Sequence, residues 1–208
     1  MQTALITSAA SIVAVVLGFV TTYILNRRLE RHKNQLTRVN AQLSQLYGPL
    51  FALTQSNAIA LKEFSDRNDP LHLFDHSESE YDARMTELQR ASYRQWVQTV
   101  FQPNNKRILD TLLTKADLLA GGQMPPSALR VFAHVAGYDV VLLNWSSGNF
   151  ESLFSIVDYP KEFTDYVAET YVLLQNRQSK LLVEQRQRRF IRRSTAGTRR
   201  REGAGEPG

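Results

Sequence analysis

The chain has 208 residues, 25 Lys or Arg against 20 Asp or Glu for a formal net charge of +5, and no cysteine. That length holds one compact domain plus extensions, and the missing cysteines exclude a disulfide scaffold, thiolate zinc sites and a cysteine nucleophile. From Arg177 onward ten Lys or Arg stand against Glu184, Glu202 and Glu206, so this stretch carries +7 and the remainder −2; the basic character is a C-terminal property.

Ala4 to Leu25 is an uncharged run of twenty-two residues, and Arg27, Arg28, Arg31, Lys33 and Arg38 follow it closely. As a helix the run is about 33 Å long, which matches a hydrocarbon core of about 30 Å. Charges behind the run and none before it predict a single membrane span with the short N-terminus outside and the rest in the cytoplasm, at an inner membrane. A cleaved secretory signal would carry its charges first and a shorter apolar core.

Leu29, Leu36, Leu43 and Leu50 then recur every seven residues, with His32, Val39, Leu46 and Leu53 interleaved. Polar residues between them make a narrow seam, the pattern of a coiled coil. Leu29, Leu36, Val39, Leu43 and Leu46 are therefore candidates either for a homo-oligomer seam or for packing on the protein's own later helices. Pro49 removes a backbone donor and crowds the carbonyl of Gln45, so the helix kinks there or restarts at Gly48-Pro49. Asp66 to Glu78 reads as a connection. Ser77-x-x-Glu80 has capping-box spacing and predicts a helix from near Glu78, with the stripe Tyr81, Met85, Leu88, Ser92, Trp96 and Val100. Pro103 either kinks a long helix or reverses it, and Gly121-Gly122 ends the run that follows. If Pro103 only kinks, an even number of passes returns the basic end to the membrane; a reversal leaves Arg193 far from lipid.

Pro125-Pro126 opens a helix whose predicted buried face is Leu129, Phe132, Ala133, Ala136, Val140 and Leu143. Trp145 is its expected end anchor. Pro160 opens the last helix, which grades into an Arg-rich end; Ser194 to Gly208 lacks apolar period and reads as disordered. The predicted organisation is all-α: an anchor over 1–26, a juxtamembrane heptad helix over 27–65, a cytoplasmic helical bundle over 66–185, and a basic end and tail over 186–208.

The segments Gln42-Leu43-Ser44-Gln45-Leu46-Tyr47-Gly48-Pro49-Leu50, Lys115-Ala116-Asp117-Leu118-Leu119 and His134-x-x-x-Tyr138 resemble a group of bacterial single-span membrane proteins with a cytoplasmic helical domain. That resemblance implies the architecture and carries no activity and no functional residue.

No nucleotide-binding glycine motif, nucleophile elbow or paired carboxylates appear, so neither an enzyme nor a cofactor is expected. Two alternatives for chemistry remain. His72 and His76 lie four apart near Asp69, Asp75 and Glu78, a metal-ligand spacing only if that segment is helical. His134 with Tyr138 and Asp139 could be an oriented base, but Asp139 lies about 140° around a helix, and a hydrogen-bonded core histidine fits better. Arg27, Arg28, Arg186, Arg188, Arg189, Arg192 and Arg193 are candidates for contact with anionic lipid, or with nucleic-acid phosphate. The expected function is a non-catalytic membrane-anchored adaptor or sensor that self-associates through the heptad helix and presents a cytoplasmic surface to a protein partner. A nucleic-acid or envelope scaffold is the alternative.

Overall fold

A computed structural model describes residues 2–68 and 85–202, with side chains for 17–68 and 85–187. Six α-helices carry the described chain, and no strand occurs among the described residues: α1 (Gln2–Ala41), α2 (Gly48–Asn68), α3 (Glu87–Trp96), α4 (Gln102–Thr114), α5 (Pro126–Ser146) and α6 (Lys161–Glu202). π-helical segments at Gln42–Tyr47 and Val97–Phe101 join α1 to α2 and α3 to α4. The chain divides into one unit of Met1–Asn40 with Arg177–Gly208 and a second of Ala41–Asn176.

Both π segments sit immediately before a proline-bearing helix start, for a local reason. Each proline lacks an N–H, and its ring would strike the carbonyl four residues back. A π turn bonds to the residue five back instead, and the N–H groups of Gly48 and Gln102 donate to the carbonyls of Leu43 and Val97. Backbone angles stay helical through Gly48 (φ −63, ψ −55) and Gln102 (φ −66, ψ −42), so neither Pro49 nor Pro103 reverses the chain.

The extra residue changes which side chains face the core. After Val97 an unbroken α-helix would bury Phe101; the π turn leaves Phe101 half-buried and puts Gln102 inside, 2 % exposed. At the first segment Gln42, Tyr47, Leu50 and Thr54 are buried, whereas Leu43 and Leu53 of the heptad seam are half-buried. Leu46 and Leu50 thus keep the seven-residue phase through the π turn, while Gln42 and Thr54 are enclosed beside the half-buried Leu43 and Leu53.

In the second unit α4 packs between α2 and α5. One core cluster joins Phe64, Met85, Tyr93, Val97, Tyr138, Val141, Trp145 and Leu153. Leu46, Tyr47, Leu50, Ile108, Leu112, Val131, Phe163 and Val167 are also fully enclosed. Helix α3 begins at Glu87; the expected helix start near Glu78 lies outside the described residues. Thr86 is extended (ψ 159), its Oγ1 accepts from the N–H of Gln89, and Gln89 Oε1 accepts from the N–H of Thr86. Met85 before α3, Tyr93 within it and Val97 just after it face inward, while Leu88 points to solvent. Ser77-x-x-Glu80 lies outside the described residues.

Helix α5 opens at Pro125-Pro126 and closes at Gly148, as expected. Gly148 has φ 83, its N–H donates to the carbonyl of Trp145, and the Asn149 N–H reaches back to Asn144 at 3.0 Å, satisfying the last carbonyls. The face expected to be buried on α5 is the wrong one. Ala128, Val131, His134, Val135, Tyr138, Val141 and Trp145 face the core, and Leu129, Ala133, Ala136, Val140 and Leu143 face outward. Both stripes are apolar at helical spacing, so periodicity alone does not choose between them. The tail also differs from expectation: α6 runs on through Ser194 to Glu202, a stretch rich in Arg, which has good helix propensity.

In the first unit α1 and α6 pair as an antiparallel hairpin. Asn40 Oδ1 accepts from Gln178 Nε2 at 2.8 Å, and His32 Nε2 lies 3.4 Å from Glu184 Oε2. Moving eight residues back along α1 thus advances six along α6. Val39 and Leu181 are buried there, and Leu29, His32 and Leu36 are half-buried. Leu46, in the second unit, is fully enclosed.

Candidate functional site

The second unit holds several polar side-chain contacts between its elements. Gln102 Nε2 donates to the Val135 carbonyl at 3.0 Å and to Asp139 Oδ1 at 2.9 Å, and Lys106 Nζ lies 2.7 Å from the same oxygen. Burial pushes the Asp139 carboxyl up, but the bonds from Lys106 and Gln102 outweigh it and hold the group below its ordinary value. Asn57 donates to Asn105, and Asn104 donates to Asn57, at 2.9 and 2.8 Å, tying α2 to α4. Gln42 Nε2 donates to the Leu118 carbonyl at 2.9 Å. The Tyr47 hydroxyl lies 2.7 Å from that of Tyr166 and accepts from the Ala120 N–H at 3.0 Å; burial pushes its pKa well above the ordinary phenol value.

These polar side chains hold elements together. The sequence signal for Gln42 and Gln102 was present but indirect: each lies at a π segment that a following proline imposes.

His134 is 4 % exposed and belongs to the same structural class. Its Nδ1 lies 2.7 Å from the Val157 carbonyl, an acceptor only, so Nδ1 carries the proton and donates. Tyr138 and Tyr159 pack edge-on against its ring at centroid distances of 4.9 and 5.3 Å. Asp139 instead faces Gln102 and Lys106, so no carboxylate of α5 orients the imidazole. With Trp145, whose Nε1 donates to Ser152 at 2.8 Å, His134 pins the irregular segment 149–160 onto α5. Ser155 is the third pin: its Oγ donates to the His134 carbonyl at 3.4 Å and accepts from the Val157 N–H at 3.2 Å.

Burial lowers the His134 pKa, outweighing the bond to Val157 and the charge of Asp158. A histidine held below its unfolded value of 6.5 binds a proton less readily when folded. Its stabilising contribution is therefore complete above that value and declines as pH falls through it. Thermal melts from about pH 8 to about pH 5 should show stability falling on the acid side, and His134→Gln should flatten that part of the slope; an unchanged slope would assign it to other groups.

His72 and His76 lie outside the described residues, and no group able to hold a metal occurs among the described ones. Arg27, Arg28 and Arg186 are exposed. The side chains of Arg188, Arg189, Arg192 and Arg193 are outside the described set, on helical backbone.

Among the described residues no helix is long and apolar enough to cross a membrane. Of the run from Ala4 to Leu25, side chains 4–16 are outside the described set, and from Leu17 on every residue is exposed. Leu17, Phe19, Val20, Tyr23, Ile24 and Leu25 thus form an uncovered apolar surface around α1, Phe19 at 74 % exposure. Between them Thr21 and Thr22 donate their hydroxyls to the α1 carbonyls of Leu17 and Gly18, each at 2.8 Å, so these polar groups are satisfied within the helix. Comparison with family models, curated proteins and solved structures found no match for this chain.

Proposed function

We propose that this chain is a single-span, membrane-anchored helical adaptor or sensor: α1 enters the lipid through the run Ala4 to Leu25, and the bundle offers a cytoplasmic interaction surface without catalysis of its own. The observation that carries the reading is the bare apolar surface from Leu17 to Leu25, with its threonine hydroxyls turned back onto the helix. Water makes such a surface costly, and hydrocarbon tails cover it without a protein partner. The charged residues begin at Arg27, where the run would leave the lipid.

The α1–α6 hairpin supports the anionic-lipid role of the arginines over the nucleic-acid one. Continued at the register of Asn40 with Gln178 and His32 with Glu184, residues 186–193 come level with about residues 23–31 of α1. Of these, Arg186, Arg188 and Arg189 would share the height of the headgroups with Arg27 and Arg28, each worth on the order of 1 kcal/mol near an anionic surface.

Alkaline carbonate washing of membranes from cells expressing the full chain tests the anchor. The protein should stay with the pellet and leave it only in detergent. Recovery in the wash, at normal expression, would overturn the reading.

A further inference from the structure

Helix α5 is apolar on two opposite sides. Its inner side is the core face through Val131, His134, Tyr138, Val141 and Trp145; diametrically across the helix run Leu129, Ala133, Ala136, Val140 and Leu143, all exposed. The spacing of four, three, four and three residues is that of a coiled-coil seam. Ile156, 96 % exposed, stands beside this stripe, against Gly137. A helix that is hydrophobic on all sides is normally enclosed on all sides.

We propose that the outward stripe of α5 is the docking surface for a second copy of this chain, with Ala136 on the twofold axis. Two features select a second copy. The order of side-chain size, Leu129, Ala133, Ala136, Val140, Leu143, reads almost the same in both directions about Ala136. Two such helices crossing antiparallel set Ala136 against Ala136 at the closest point, Ala133 against Val140 of the second copy, and Leu129 against Leu143 where the helices diverge. An isologous interface requires this self-complementarity. No charged side chain lies in the stripe to repel its own image.

The second feature is area. At their observed exposures, 54 % for Leu129, 60 % for Val140, 69 % for Leu143 and 96 % for Ile156, these side chains with the two alanines leave on the order of 600 Å² uncovered per copy. Pairing would bury about 1,200 Å², the lower edge of stable interfaces, so the dimer is weak unless copies are held together. This proposal does not depend on the membrane reading or on self-association through the α1 seam.

The chain has no cysteine of its own, which makes the test specific. Full-length Ala136→Cys protein, in detergent and in lipid bilayers, should give a disulfide-linked dimer on oxidation. Leu129→Cys mixed with Leu143→Cys should cross-link as a mixed pair more than either alone. Ile59→Cys, exposed and apolar but on α2, is the collision control. Ala136→Glu places two like charges on the axis at an exposed position, so it should shift the mass in solution from dimer to monomer while leaving the melting temperature unchanged. Cross-linking at Ala136 no greater than at Ile59, or a dimer that survives Ala136→Glu, would overturn the proposal. Carbonate extraction of the same variants reports separately on the anchor, so failure of one reading is distinguishable from failure of the other.

Discussion

Gly48→Ala is expected to lower the melting temperature by about 5–15 °C, from a loss of about 2–4 kcal/mol. At an ordinary helix position the same substitution is stabilising by up to about 1 kcal/mol, because alanine is the better helix former. Here the sign reverses. A Cβ on Gly48 would run into the carbonyl oxygen of Leu43, the group that accepts the Gly48 N–H across the π turn. Backbone cannot rotate aside as a side chain can, so the turn must open or the helix must shift. Either movement disturbs Tyr47, fully buried and bonded to Tyr166 and Ala120, and Leu46 beside it. The control is Gly18→Ala, where nothing lies within 4 Å of the new atom. Thermal melts followed by circular dichroism compare the two; equal effects would mean that the close approach at Gly48 is unimportant.

Gly137→Ala should cost about 1–3 kcal/mol, and Ser155→Ala in the same chain should recover part of it. A methyl at 137 overlaps Ser155 Oγ and crowds Ser155 Cβ at 3.3 Å. The hydroxyl cannot turn away without giving up the His134 carbonyl and the Val157 N–H. Ser155→Ala alone should cost about 1 kcal/mol, since it leaves that buried N–H without its acceptor. Chemical denaturation of the four proteins closes the cycle. A double variant less stable than the two single losses combined would show that the glycine serves something other than Ser155.

Much of the fold was legible in the sequence because prolines and glycines mark helix ends: Pro125-Pro126, Gly148 and Pro160 fall where helices begin or stop. What could not be read is phase. The stripe Leu29 to Leu50 has a seven-residue period on paper, yet Gln42 and Thr54 take inward places that the pattern gave to Leu43 and Leu53. A proline announces that a helical bond is lost but not that a π turn will absorb the loss. Helix α5 failed for a different reason: with apolar residues on both sides, its sequence holds two equally good core faces, and only the neighbours α3 and α4 decide. His134 was read correctly as a satisfied core histidine, because Asp139 lies too far around the helix to orient it, whereas the partners of Gln102 and Asn105 lie dozens of residues away and leave no local trace.

The segment Val97–Phe101 has a consequence for how this protein tolerates change. The segment holds one residue in excess over a regular turn: were its π turn to close into α without losing a residue, everything on one side would rotate by about 100° relative to the other. A single-codon deletion there would leave composition, charge and helix content nearly intact. It would also leave Gln102 four residues after Val97, the α spacing that keeps it on the inner side toward Val135, whereas the full-length segment wound as plain α would offer Phe101 there instead. For this molecule, then, the segment holds one residue of slack, and a one-residue loss between Val97 and Gln102 is better tolerated there than within a regular helix.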